Sequence, residues 1–159
     1  MRKDVAMGNI GGRADIEIDA PLAAVWAVVQ DVVSAPQWQG GIDSVTAIEH
    51  DSEGRATLVE TESDIRVKKV SSRVRFDYSG APSRLAWTQE KGDMKSLVGS
   101  WELEELDGAR TRATFTMEAD PGRVLGLLIR GPVVAATRAL FVSARPGELR
   151  RRMEAEPGS

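Results

Sequence analysis

The chain has 159 residues, 42% hydrophobic and 28% charged, which suits one globular domain with its own core. Its formal net charge of −3, with arginines interspersed among carboxylates, leaves no basic footprint for nucleic acid. With no cysteine and one histidine, His50, disulfides, thiolate nucleophiles, cysteine-bound zinc and histidine-rich metal centres are excluded.

In chain order, MRKDVAMGNIGG reads as a loose leader that lacks the apolar core of a signal peptide. The expected organisation is a flexible leader (1–13), a single domain (14–153) and a tail (154–159), in a cytoplasmic protein. ADIEID, Ala14 to Asp19, alternates small or apolar with acidic residues, the period of a strand with one wet face. Pro21 then suits the first turn of a helix, because its missing N–H has no partner to lose there. Leu22, Val25, Trp26, Val28 and Val29 recur at helical spacing, and Pro36 in SAPQW biases Ala35 away from the helix.

A run of strands follows. Asp51-Ser-Glu-Gly54 and Asp107-Gly108 carry hairpin-turn chemistry, and GAPS (Gly80 to Ser83) turns the chain between them. IRVKKVSSRVRFDYS alternates Val74, Phe76 and Tyr78 with Arg73, Arg75 and Asp77. RLAWTQE puts Leu85 and Trp87 on one side, and SLVGSWEL does the same for Leu97, Gly99, Trp101 and Leu103. TRATFTMEA sets Ala113, Phe115, Met117 and Ala119 against polar partners.

After Asp120-Pro121-Gly122 the period becomes helical. Arg130, Pro132 and Arg138 interrupt the apolar stretch Val124 to Val142. At mid-membrane depth each arginine costs about 2.5–3.5 kcal/mol, so stable membrane insertion is not expected. A main helix is predicted over Val133 to Ala144, with Val133, Val134, Thr137, Leu140, Phe141 and Ala144 as its apolar stripe and Arg138 and Arg145 away from it. Pro146-Gly147 should bend or end that helix. The cluster Arg150, Arg151 and Arg152 reads as a solvated helix end. A sheet with one wet face must bury the other, and the C-terminal helix is the element apolar enough to cover it.

This order and several local strings resemble the START-related helix-grip superfamily, SRPBCC or polyketide cyclase/dehydrase-like, in its bacterial branch. A strand ending Ile-Asp-Ala-Pro, a helix with Val-Trp, an Asp near its end and a later Pro-x-Trp carry it, at Ile18, Ala20, Pro21, Val25, Trp26, Asp31, Pro36 and Trp38. LAWTQEKGDMKSLVGSWELEEL, Leu85 to Leu106, carries it again, with its Trp strand, Gly-Asp turn and Gly-Ser-aromatic strand. The resemblance spans about Ala14 to Met153. It implies an α+β helix-grip fold in which a curved antiparallel sheet of about seven strands wraps a C-terminal helix, with two short helices after the first strand. The Pro146-Gly147 interruption departs from the unbroken helix usual in that family.

The fold hosts lipid carriers, cyclases and ligand sensors, so three functions stay open. The first is binding or carriage of a hydrophobic small molecule (a lipid, isoprenoid or polyketide-like compound) between sheet and helix. For it the expected lining is Trp38, Phe76, Trp87, Trp101, Phe115, Thr137, Leu140 and Phe141. The second is a polyketide aromatase/cyclase, which needs polar groups inside the cavity; its candidates are Glu60, Glu62, Arg66, Arg75, Tyr78 and His50. The third is a protein-interaction module with a filled cavity and an exposed apolar patch. Each candidate also has a plainer use: core aromatics, a threonine bonded back to its own helix, and a solvated face of paired charges. No cofactor is expected, since GNIGG precedes no helix and GPVVAAT lacks the lysine of a phosphate loop.

Overall fold

Stretches in which apolar and polar residues largely alternate form seven strands in the computed structural model, which describes residues 10–155. They are β1 (Ile10–Ile18), β2 (Ile42–His50), β3 (Ala56–Asp64), β4 (Lys69–Asp77), β5 (Arg84–Gly92), β6 (Ser96–Asp107) and β7 (Arg110–Asp120). All pair antiparallel in one sheet of order β1-β7-β6-β5-β4-β3-β2. The chain crosses from one edge, β1, to the other, β2, through helix α1 (Leu22–Val29) and a 3₁₀ segment (Val32–Gln37) that contains Pro36. These are the two short helices expected after the first strand.

Turn chemistry acts where the sequence places it. Asp51 Oδ1 accepts from the backbone N–H of Glu53 and Arg55, both at 2.9 Å, and Asp107 Oδ1 accepts from Ala109 N at 2.9 Å. Register shifts in the β2–β3 and β4–β5 pairings are the kind of irregularity that bends a strand and curves a sheet.

Two boundaries differ from expectation. β1 begins at Ile10, so residues 10–13, expected in the leader, are strand. The cause is burial: Ile10 lies opposite Ala119 and is 1% exposed. The rest of the leader (1–9) and residues 156–159 of the tail lie outside the described residues. The first residues of IRVKKV form the β3–β4 turn rather than strand, with Ile65 N donating to Lys68 O at 3.0 Å and Arg66 at φ +78°.

The C-terminal region is helical in pieces: α2 (Gly122–Gly126), α3 (Pro132–Arg138), a π turn (Ala139–Ser143) and α4 (Arg145–Glu154). Pro146-Gly147 does not end the helical path. Pro146 lies in the first turn of α4, where no N–H is required. The π turn precedes it, with Ala144 N bonded five residues back to Ala139 O at 3.0 Å.

Buried side chains form two clusters. One joins α1, the strand faces and α4 through Val25, Trp26, Trp101, Phe115 and Leu149. The other gathers Ile10, Ile65, Val70, Met94, Ile129 and Phe141. Met117 packs against both.

Candidate functional site

The inner sheet face and the C-terminal helix border a cavity of about 160 Å³, lined by residues of both clusters. Strands contribute Val59, Val70, Val74, Phe76, Leu85, Trp87, Trp101, Phe115 and Met117. The helical path contributes Thr137, Phe141 and Arg145, and the first crossover contributes Val29, Val32, Ala35 and Trp38. Aromatic rings run along the wall: Trp38 to Trp101 at 6.3 Å between centroids, Trp101 edge-on to Phe115 at 4.9 Å, Phe115 to Trp87 at 5.6 Å and Trp87 to Phe76 at 5.8 Å. Trp87 lies across Gly99, where a Cβ would come within 2.5 Å of its ring.

Seven of the eight side chains expected to face the cavity line it: Trp38, Phe76, Trp87, Trp101, Phe115, Thr137 and Phe141. Leu140 does not. It is half-buried against residues 40–41, its Cδ1 3.4 Å from where a Cβ on Gly40 would stand. Thr137 is bonded back to its own helix, its hydroxyl donating to Val133 O at 2.8 Å.

The six acid/base candidates lie elsewhere. Glu60 and Glu62 point to the outer face, since Val59, Thr61 and Ser63 take the inner one. Glu60 pairs with Arg73 at 2.7 Å, and Glu62 accepts from Ser71 Oγ at 2.8 Å. Arg75 bridges Glu90 (2.6 Å) and Glu49 (3.0 Å), which holds Glu90 below the usual carboxylate range. Arg66 is exposed in the β3–β4 turn. His50 is exposed at the end of β2 and borders a separate polar cleft of about 210 Å³ with Asp31, Glu53 and Arg55. Tyr78 is buried, but its hydroxyl donates to Ala56 O at 2.7 Å and Arg55 stacks on its ring at 4.5 Å. Burial pushes the Tyr78 phenol up to about 12, with Arg55 offsetting part of the rise.

The sequence reading places Arg145 away from the apolar stripe. Arg145 is instead 2% exposed and lines the cavity. In an unbroken α-helix, Arg145 would point about 80° away from Thr137. The π turn adds one residue without its share of rotation and brings that offset to about 20°. The guanidinium donates from Nη1 to Glu148 Oε1 at 2.7 Å and lies 5.3 Å from the centre of the Phe141 ring. Burial lowers its pKa, and Glu148 opposes the shift. Glu148 Oε2 in turn accepts from Gly40 N at 2.9 Å. Gly41, at φ +85°, presses on Phe141, whose Cζ would be 2.6 Å from an added Cβ. No signal in the 3.6-residue period points to Arg145, because its place in the wall depends on the π turn.

Among the described residues no group of three or more His, Asp or Glu side chains is placed to hold a metal ion. None of the helices there is long and apolar enough to cross a membrane.

The family model described as polyketide cyclase/dehydrase and lipid transport matches residues 18–144, from the end of β1 through the π turn. The chain belongs to that family. Among solved structures, the polyketide cyclase/dehydrase-like domain described here is similar to a START superfamily protein from Mycobacterium smegmatis (16% identity, TM-score 0.78, covering 91% of this chain and 97% of that one). It is similar also to the Zhui aromatase/cyclase from Streptomyces sp. R1128 (18%, TM-score 0.72, 92% and 94%) and to a conserved Geobacillus kaustophilus protein (17%, TM-score 0.72, 91% and 95%). At these identities the likeness establishes the helix-grip fold. No curated protein matches the sequence.

Proposed function

We propose that this family member binds or carries a hydrophobic small molecule in the cavity between its sheet and its C-terminal helix. The observation that carries this reading is the apolar space of about 160 Å³ between the inner sheet face and the C-terminal helix. An empty apolar cavity of about 150 Å³ takes a benzene-sized guest, so a single-ring or short-chain group fits as drawn. Burial of its surface supplies about 25 cal/mol per Å² gross. The cyclase alternative needs one of Glu60, Glu62, Arg66, Arg75, Tyr78 or His50 inside the cavity, and none lines it. A side-chain-filled interior is disfavoured by the void itself, although Val124, Leu127 and Leu128 do form an exposed apolar stretch.

Toluene titration followed by methyl NMR tests the reading. Saturable shifts are expected at Val59, Val70, Val74 and Leu85, and Val74→Phe should abolish them by filling the space. Shifts confined to Val124, Leu127 and Leu128 would overturn cavity binding.

A further inference from the structure

The apolar wall contains one cation, Arg145, and its donors are not all engaged. A guanidinium carries five N–H donors in a fixed fork. Among the described residues its only hydrogen-bond acceptor is Glu148 Oε1. The other polar groups of the wall are neutral or differently placed: the Thr137 hydroxyl donates to Val133 O, the Thr61 hydroxyl to Ser72 O at 3.3 Å and the Ser72 hydroxyl to Gln89 Oε1 at 2.8 Å, Asp31 is exposed and accepts from Ser34, and Gln39 and Ser63 are half-buried and uncharged. A second donor lies near the same end. Trp38 Nε1 is buried without an acceptor, and Trp38 is two residues from Gly40, whose N–H binds the Glu148 that pairs with Arg145. An ion pair serving only to tie α4 to residues 40–41 would not need its cation in the wall of an apolar cavity.

We propose that the ligand is an apolar molecule ending in an oxygen acceptor, a carboxylate or a ketone, which hydrogen-bonds to the Arg145 guanidinium where the C-terminal helix meets residues 38–41. The apolar body fills the aromatic end of the cavity and the oxygen sets its direction. This rests on the cavity-binding reading above.

Three single-ring probes separate the two ideas: ethylbenzene without an acceptor, acetophenone with a ketone and phenylacetate with a carboxylate. Dissociation constants are read from the cavity methyls in the wild type and in Arg145→Met/Glu148→Gln, which removes the cation without stranding its partner. The double variant should weaken acetophenone or phenylacetate about ten-fold or more, the scale of one charge-assisted hydrogen bond, and leave ethylbenzene within about two-fold. The larger loss tells whether the end group is neutral or charged. Equal effects on all three probes, or none, would overturn the inference while leaving cavity binding intact. Failure of all three probes to bind the wild type removes both. Should the double variant not fold, Arg145→Lys keeps the charge and loses the fork: ethylbenzene binding should hold while an oxygenated probe weakens, and unchanged binding of both oxygenated probes counts against the proposal.

Discussion

Tyr78 is the chain's single tyrosine, so its ionisation can be followed at 295 nm without overlap from a second phenol. Burial raises its folded-state pKa from about 10 to about 12. The stabilisation this gives is fully present below pH 10. Above that the unfolded chain releases the proton first, so stability falls as pH rises and the contribution is gone above pH 12. Spectrophotometric titration should show the midpoint near 12, and one near 10 would contradict the buried, bonded phenol. Gly99 is the other residue with a sharp requirement. Gly99→Val should force the Trp87 ring out of place and cost about 1–3 kcal/mol in urea unfolding. At this scale the alternation in the sequence was a good guide to the sheet: Phe76, Trp87, Trp101 and Phe115 all face inward as period 2 requires. The same parity sends Glu60 and Glu62 outward, where Arg73 and Ser71 stand beside them on β4. What alternation along one strand cannot reveal is these cross-strand partners, which turn candidate acids into a surface ladder.

At the scale of elements, the C-terminal helix is the part least legible in the sequence. A 3.6-residue period assumes uniform rotation, and the π turn at Ala139–Ser143 breaks it. Every residue beyond the turn is rephased, which is why Arg145 enters the cavity wall. Pro146 fits the same account, because it opens α4 rather than interrupting it. The helix is then pinned at two places: Arg138 Nε donates to Gly11 O at 2.7 Å, and Glu148 holds both Arg145 and Gly40 N. Glu148→Ala leaves a guanidinium that is 2% exposed without its counter-charge and should cost about 3–5 kcal/mol. Arg75→Ala breaks two outer-face ion pairs and should leave the urea midpoint nearly unmoved. Similar effects from both substitutions would show that the Arg145–Glu148 pair is no more than a surface contact.

For the whole molecule, one curved antiparallel sheet of seven strands with a C-terminal helix follows from the pattern of elements, and the likeness to solved helix-grip structures agrees with it. The cavity is space left among the sheet, the first crossover and the C-terminal helix, and volume left unfilled is not written in the period of any strand. Its size and its one cation emerge only when β1, the first crossover and the C-terminal helix are brought together. On the binding reading, this space holds a guest. Native mass spectrometry of the purified protein, before and after equilibration with an apolar extract of the expression host, tests it most directly. A stoichiometric adduct is expected, which organic solvent releases and the Val74→Phe variant lacks. A wild-type protein that remains at its bare chain mass under both conditions would contradict it.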